Sequence, residues 1–158
     1  TTLFRSAKFA PKDQRTADMP TTNFPIHVTD LPTGTQSLAV NLIDYDAIPV
    51  GGFPWIHWLA ANIPVGNIPE NLRESGLAIS GTNSTWHFVQ KANQPANPDI
   101  NQAYIGPMPP DKTHDYTLTV FALDTLLDLE NGFFLNDFKR HSQGHILKAV
   151  TLALPARA

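Results

Sequence analysis

The sequence predicts a mainly β protein: an antiparallel β-sandwich with a short C-terminal helix and minor helical turns. Segments of strand length recur along the chain. In some, apolar and polar residues alternate, and in others the side chains on both faces are apolar. The 14 prolines and 9 glycines are enough to imply many turns between such segments. A helical pattern with recognisable end signals occurs late in the chain. Together these observations favour strands joined by proline-rich turns.

The composition fits a single globular domain over residues 1–158. Hydrophobic residues make up 42% of the chain, which is enough for one substantial core. Lys and Arg number 11 and Asp and Glu 14, for a net charge of −3 and no basic stripe. We therefore expect no nucleic-acid partner. Because there is no cysteine, disulfides, thiolate metal sites and a cysteine nucleophile are excluded.

No apolar run is long enough to cross a membrane. The N-terminal segment also lacks the continuous apolar core of a signal peptide. We therefore expect a soluble, cytoplasmic protein without a transmembrane segment.

The first long strand is predicted at Ser37–Asp44, with the sequence SLAVNLID. Leu38, Val40 and Leu42 share one face under period-2 alternation. Asp44 falls on the same face at the end of the strand. The pattern therefore places a carboxylate at the end of an apolar surface.

The second long strand is predicted within GGFPWIHWLAANIP. Alternation assigns Trp55, His57, Leu59 and Ala61 to one face, and Ile56, Trp58 and Ala60 to the other. Since both faces are apolar, this is predicted to be a central strand of the sheet. Taken alone, His57 fits a buried core histidine.

The third long strand is predicted in YTLTVFALD, where Tyr116, Leu118, Val120 and Ala122 share a face. His114 joins them if the extended geometry begins two residues earlier. The preceding stretch YIGPMPP is unsuited to a strand or helix, because each proline lacks an N–H and fixes φ. It is predicted to be a rigid loop that leads into the strand.

The remaining elements are shorter or lie near the C-terminus. A helix is predicted at about Leu135–Gln143, with Asn136 or a neighbour at its N-cap and Gly144 beyond its end. A strand follows at Ile146–Leu154, and NIPENLRESG predicts one helical turn. The polar segment Lys91–Gln102 predicts a long loop. Further short strands are predicted at Leu3–Phe9, Ile26–Thr29, Leu77–Ser80 and Trp86–Gln90.

Titratable side chains gather at the ends of the predicted strands: Asp44 and Asp46, His57, and His114 with Tyr116. Each has an ordinary explanation alone, as a turn former or a packed ring. Together, two imidazoles and a phenol can donate hydrogen bonds to an anion. A carboxylate behind a histidine fixes its tautomer and raises its pKa. Without an activated nucleophile, the set favours binding of a phosphate or carboxylate group over catalysis.

Other motifs are missing or weak. There is no G-x-S-x-G elbow, P-loop or G-x-G-x-x-G sequence. His141 and His145 have the spacing of a helical metal pair, but Gly144 is expected to end the helix between them. His57 and His114 stay open as a metal pair, although the nearby tyrosine suits an oxygen anion better. We expect no cofactor and no resident metal.

Three motifs, DYDAIP, HWLAANIP and YIGPMPP…THDY, resemble in order those of the phosphatidylethanolamine-binding protein family. The closest branch is the bacterial and archaeal YbhB/YbcL type, often labelled Raf-kinase-inhibitor-like. The resemblance runs from about Ser37 to the C-terminus. It implies a sandwich of two antiparallel sheets, a cis peptide before Pro49, and a small cavity for phosphate, acetate or phosphoryl head groups. The residues that match the family's ligand site are Asp44, His57, Gly106, Pro109, Pro110, His114 and Tyr116.

The chain departs from the family pattern in its first motif. Tyr45 replaces a proline and Ile48 is inserted before Pro49, so this turn is expected to differ in shape.

Further departures fall near the last motif. Asp115 replaces an arginine beside His114, and strand alternation suggests that it points outward. Lys112 stands where glycine is common and would restore positive charge. The loop over residues 85–103 is longer than expected and would cover or reshape the entrance.

We expect a non-enzymatic binding protein that holds a small phosphorylated or carboxylated ligand and acts as a ligand-responsive regulator. The alternative is a regulator of another protein, a kinase modulator or serine-protease inhibitor, that needs no small ligand. The resemblance implies both roles, and Asn93–Gln102 is the obvious contact segment. Catalysis ranks third: Asp44, His57 and His114 suit acid–base chemistry, but nothing indicates what would be attacked. The resemblance also favours a homodimer.

Overall fold

The structure, a computed structural model, describes residues 10–158. The strand predicted at Leu3–Phe9 lies outside the described residues. A 3₁₀ turn at Lys12–Gln14 precedes the first strand. The strands and helices of this part are, in chain order, β1 (Arg15–Thr16), β2 (Met19–Pro20), β3 (Ser37–Asp44), α1 (Ile48–Gly51), β4 (Trp55–Ile63), α2 (Leu72–Ser75), β5 (Ile79–Ser80), α3 (Trp86–Ala92), α4 (Pro98–Asn101), β6 (His114–Leu123), α5 (Leu135–His141) and β7 (Ile146–Ala156).

One antiparallel sheet organises the fold. Its spatial order is β5-β4-β3-β6-β7, and β1 pairs with β2 in a separate short ladder. Strand β3 is central and buried along its whole length. The mainly β, antiparallel fold class and the three long predicted strands are confirmed.

Each face of the sheet carries its own apolar cluster. On face A, the side chains of Leu38, Val40 and Leu42 pack beneath the segment that contains Phe24 and Leu31. On face B, the other side of the sheet, the apolar cluster is formed by Ala39, Leu59, Ala61, Leu123, Leu127, Phe133 and Phe138. Burial of both faces explains why β4 reads as apolar throughout.

Irregular chain forms much of the layer over face A within the described residues. Ile26 makes an isolated antiparallel bridge with Ile68, with backbone N···O distances of 2.9 and 3.0 Å. The predicted strand at Ile26–Thr29 is therefore wrong in extent. Apart from the five-stranded sheet, residues 10–158 form one further sheet, the two-stranded β1–β2 ladder.

The strand predicted at Trp86–Gln90 is wrong, because these residues lie in helix α3. The N-cap of this helix is Thr85, and the side-chain oxygen of Asn83 in the preceding turn accepts from the Thr85 backbone N–H, 3.0 Å away. Five residues with alternating apolar side chains are too few to separate a strand from a helical turn. The predicted loop Lys91–Gln102 also contains α4, whose first turn is capped by the side chain of Asn97.

Helix α1 replaces the expected cis turn. The described residues contain no cis peptide bond, so the prediction before Pro49 is wrong. Pro49 lies in the first turn of α1, where its missing N–H is not needed and its φ suits a helix. The inserted Ile48 opens this helix, and Gly52, with φ of 85°, ends it.

The C-terminal predictions are confirmed with small changes. Helix α5 has Phe134 rather than Asn136 at its N-cap, and the Asp137 carboxylate accepts from the Phe134 backbone N–H at 3.1 Å. Basic residues occupy its last turn, as the helix dipole favours. Between residues 10 and 158, none of the helices has both the length and the apolar character needed to cross a membrane.

Candidate functional site

A cavity of about 330 Å³ opens on face A, where β3 ends and where β4 and β6 begin. One side of it is polar and the other is apolar. The polar side chains are Asp44, His57, His114 and Tyr116. The apolar lining includes Met19, Val50, Phe53, Trp55, Phe88, Ile105 and Met108.

A β-bulge places His57 in this cavity. Pairing between β3 and β4 runs from Leu42 opposite Trp58 directly to Ile43 opposite Ile56. His57 is therefore an extra residue with no partner on β3. Such a bulge changes the direction of a side chain and is common beside functional sites.

The bulge overturns part of the predicted face assignment. Strict alternation places His57 with Leu59, which lies in the face B cluster. Instead, the His57 ring lies edge-on to Tyr116, with ring centroids 4.9 Å apart. Tyr116 belongs to the face A cluster together with Trp58. His57 and Trp58 thus share a face, although they are adjacent in sequence.

His57 is a neutral hydrogen-bond acceptor towards the cavity. Its Nδ1 lies 2.8 Å from the carbonyl oxygen of Ile105. Because a carbonyl only accepts, Nδ1 carries the proton and Nε2 is left without one. Burial lowers the pKa of His57 to about 4, despite opposing contributions from the Ile105 carbonyl and the charge of Asp44. With its pKa lowered, the His57 ring is neutral at neutral pH in the ligand-free cavity, and its part in binding an anion stays a prediction.

His114 is the cationic group of the cavity. It is fully buried, with Nδ1 2.7 Å from Asp44 Oδ2 and Nε2 2.8 Å from Asp111 Oδ1. Carboxylates only accept hydrogen bonds, so both ring nitrogens carry protons in this arrangement. Burial acts to lower the pKa of His114, but the hydrogen bonds to Asp44 and Asp111 outweigh it and the pKa is raised.

Asp44 holds the base of the cavity together. One carboxylate oxygen faces His114, and the other accepts from the backbone N–H of Ala47 at 3.1 Å, at the start of α1. Burial first, and then the charge of Asp44, raises the pKa of Tyr116. The Tyr116 hydroxyl also interacts with the Asp44 carboxylate and the Met108 backbone. The phenol is thus engaged in the framework of the cavity.

Asp111 was missed by the sequence reasoning. It lies on the rim loop, residues 106–113, its side chain is 51% exposed, and it reaches His114 from beside the cavity, since it is not itself among the lining residues. Its hydrogen bond with His114 lowers the pKa of Asp111. The only signal in the sequence is a carboxylate three residues before His114 in a tight loop. That spacing does not by itself predict a contact with the buried ring.

The rim loop is tied to the rest of the fold by backbone hydrogen bonds. The N–H of Gly106 donates to the carbonyl of Pro20 at 2.9 Å. Pro110 lines the cavity, whereas Gly106 and Pro109 are buried in the loop behind the lining. The predicted site residues Asp44, His57, Pro110, His114 and Tyr116 thus meet at one cavity. Their role in ligand binding stays a prediction.

The charged departures beside His114 point to solvent. Asp115 is exposed, as alternation predicts, and its backbone N–H donates to Asp46 Oδ2 at 2.9 Å. Lys112 is also exposed and is not among the residues that line the cavity. Lys112 was predicted to restore positive charge to the cavity, but it does not line the cavity.

Helix α3 brings the long loop to the mouth of the cavity. The ring of Phe88 lies 5.5 Å from that of Trp55, which stacks on Phe53 at 5.8 Å. His87 also packs against Phe53, with centroids 5.3 Å apart. The loop over residues 85–103 therefore supplies part of the apolar wall.

Comparisons with known proteins agree with this architecture. A family model described as phosphatidylethanolamine-binding protein matches residues 4–156. The protein YxkA of Bacillus subtilis is 44% identical over 155 residues, which cover 96% of this chain and 90% of the relative.

Two solved structures share the fold, each with a TM-score of 0.68. A phosphatidylethanolamine-binding protein homologue from Chlamydia trachomatis is 24% identical, with coverage of 100% of this chain and 94% of that one. Escherichia coli YbcL is 23% identical, with coverage of 87% and 81%. Since the family model spans nearly the whole chain, the protein belongs to the phosphatidylethanolamine-binding protein family.

Proposed function

We propose that this protein is a non-enzymatic binding protein whose cavity holds an anionic head group, phosphoryl or carboxylate, at the Nε2–H of His114. The observation that carries the proposal is the contact between His114 and Asp111. A carboxylate from the rim loop already accepts a hydrogen bond from the buried imidazolium at 2.8 Å. An oxygen anion of a ligand would find the same donor, charge and distance there.

The surrounding groups suit an anion that enters from the mouth. Asp44 holds the imidazolium from behind, so His114 keeps its charge and orientation when its outer partner changes. Asp111 is half exposed and can turn to water when a ligand replaces it. The unprotonated Nε2 of His57 would accept a hydrogen bond from a hydroxyl of the ligand.

Binding is favoured over catalysis because the described residues that line the cavity include no activated nucleophile. Thr85 contributes a hydroxyl to the lining, but its Oγ1 donates to Asn83 and accepts from Asn101. It is therefore engaged in a side-chain network and has no histidine as a general base.

The experiment is an NMR titration with inorganic phosphate that follows the ring protons of His114. In the wild type we expect saturable shifts at His114 and at the ring protons of Tyr116, which lines the same cavity. In His114→Gln, which keeps a hydrogen-bonding side chain without the cation, we expect the Tyr116 shifts to be lost. His145→Gln is the matched control, since His145 pairs with Asp124 at 2.8 Å on an exposed surface. Absence of saturable shifts at His114 in the folded wild type would refute the proposal.

A second candidate is regulation of another protein, such as a kinase or protease. Exposed apolar side chains at or near the mouth favour it: Tyr45, Ile48, Val50, Phe88 and Met108, each 39–53% exposed. We name them the mouth patch. Such a patch suits either the apolar part of a ligand or a protein surface. Comparing the affinities of phenyl phosphate and inorganic phosphate distinguishes these uses. If phenyl phosphate binds no more tightly, the mouth patch does not contact the ligand and is available to a protein partner or a second copy of the chain.

A further inference from the structure

The ion pair between His114 and Asp111 joins two residues with unequal freedom. His114 is fully buried, is held by Asp44 and lies in β6, where it pairs with Ala156 of β7. Asp111 lies on the rim loop with half of its side chain in solvent. The contact can therefore open by rotation of Asp111 alone, without any change in the core.

We propose that Asp111 is a built-in competitor: its carboxylate occupies the anion position on His114, and a ligand must exchange with it in order to bind. The inference rests on the proposed function, because it concerns the occupancy of the same donor. Under this proposal, Asp111 on the rim loop sets a threshold: a ligand binds only if its anion interacts with His114 strongly enough to displace the Asp111 carboxylate.

The local charges require exchange rather than addition. The imidazolium of His114 carries one positive charge and contacts two carboxylates, Asp44 and Asp111. A ligand anion that joined both would add a third negative charge around one cation. Asp44 cannot leave, since it is buried and also bonds the backbone N–H of Ala47. The carboxylate that is able to leave is that of Asp111.

The need to displace Asp111 from His114 limits which class of ligand can bind. A carboxylate or a phosphodiester has one charge, like Asp111, and competes with a group that is tethered beside the site. A terminal phosphoryl group carries roughly −1.5 to −2 charges and three acceptor oxygens at neutral pH. It therefore binds the imidazolium more strongly than Asp111 does. The inferred ligand class is a phosphate monoester, rather than a diester of the kind found in phospholipid head groups.

Calorimetric titrations at pH 7.5 with methyl phosphate, dimethyl phosphate and acetate test the inference. The first two probes differ in charge on the same phosphoryl core, which separates a terminal phosphate from a diester. In the wild type we expect methyl phosphate to bind and the two monoanions to bind at least tenfold more weakly. In Asp111→Asn and Asp111→Ala we expect each of the three to gain roughly tenfold, the range that one charge-assisted hydrogen bond supplies.

The equality of these gains distinguishes competition from repulsion. A competitor lowers the apparent affinity of every ligand by the same factor, whereas removal of a repelling charge favours the dianion more. Asp115→Asn is the matched control, because it removes the same charge from an exposed side chain close by in sequence. We expect it to change each affinity by less than twofold.

The outcomes separate the two proposals. Equal gains in both Asp111 variants and none in Asp115→Asn support the competitor. Gains that scale with ligand charge, gains shared by Asp115→Asn, or unchanged affinities in the Asp111 variants overturn it, while binding at His114 leaves the proposed function intact. If no anion binds to the folded wild type, the proposed function fails and the inference fails with it.

Discussion

His57 and His114 line the same cavity, but their hydrogen-bond partners differ and their pKa values are shifted in opposite directions. His57 donates from Nδ1 to the Ile105 carbonyl, and burial lowers its pKa to about 4. His114 lies between the carboxylates of Asp44 and Asp111, and its pKa is raised. One ring is thus an acceptor and the other a double donor, so replacing each should have a different effect.

The first prediction concerns these two rings. His114→Gln should weaken binding of methyl phosphate at least tenfold, because the cation and its charge-assisted hydrogen bond are lost. His57→Gln should weaken it less than fivefold, because a neutral acceptor is replaced and the glutamine amide can still donate to the Ile105 carbonyl. Calorimetric titration measures both. Equal losses, or a larger loss in His57→Gln, would contradict the assignment of charge.

The second prediction concerns stability in acid. The unfolded chain takes up a proton on His57 near its ordinary pKa of 6.5, whereas the folded protein does so only at about pH 4. The free energy of unfolding should therefore fall as the pH drops from 6.5 to 4, by up to about 3 kcal/mol from this residue. Urea unfolding of the wild type and His57→Gln should show a shallower acid loss in the variant. Parallel profiles for the two proteins would argue against a buried neutral His57.

The third prediction concerns the coupling between Asp111 and His114. The carboxylate of Asp111 stabilises the imidazolium, so Asp111→Asn should lower the pKa of His114. The raised pKa also contributes stability that is complete below the unfolded value and is lost as the pH rises through the folded value. In the variant this contribution should be smaller, and its loss should be complete at a lower pH. The ring-proton shifts of His114 against pH provide the measurement, and an unchanged midpoint would mean that the contact does not persist in solution.

The fourth prediction tests the packing of face B. A Cβ added at Gly81 would lie 2.7 Å from Leu59 Cβ and 2.8 Å from the Phe133 ring, so Gly81→Ala must displace the core. We expect a loss of about 1–3 kcal/mol in the free energy of unfolding. Gly51→Ala is the control, since its nearest contact is Phe53 at an ordinary 3.8 Å. Urea unfolding measures both, and similar stabilities for the two variants would be inconsistent with the close approach at Gly81.

Alternation was sufficient to predict β3 and β6, because these two strands keep a regular register with each other over their whole paired length. It failed at His57, because a bulge depends on how two strands pair and leaves no mark on one strand alone. The motif residues could be assigned to one cavity, but their protonation could not. Those states depend on Ile105 and Asp111, and the sequence does not show which atoms these residues present to the two rings.

Helices α1 and α3 show a different limit. Both are short, and before each one a side-chain oxygen accepts from the backbone N–H of the N-cap residue: Asp44 from Ala47 for α1, and Asn83 from Thr85 for α3. Two departures from the family motif, Tyr45 and the inserted Ile48, distinguish the α1 segment from the expected turn. In such short segments, contacts with the rest of the fold determine the conformation, and the periodicity of the side chains does not predict it.

The two oxygens of Asp44 serve different parts of the molecule, since one bonds the imidazolium and the other begins the helix at the mouth. Replacement by Asn keeps one neutral acceptor and cannot supply both functions with a charge. A substitution at Asp44 would therefore alter both the hydrogen bonding at the floor of the cavity and the shape of its entrance. Descendants of this sequence can change their ligand at the rim loop or the mouth patch far more freely than at Asp44.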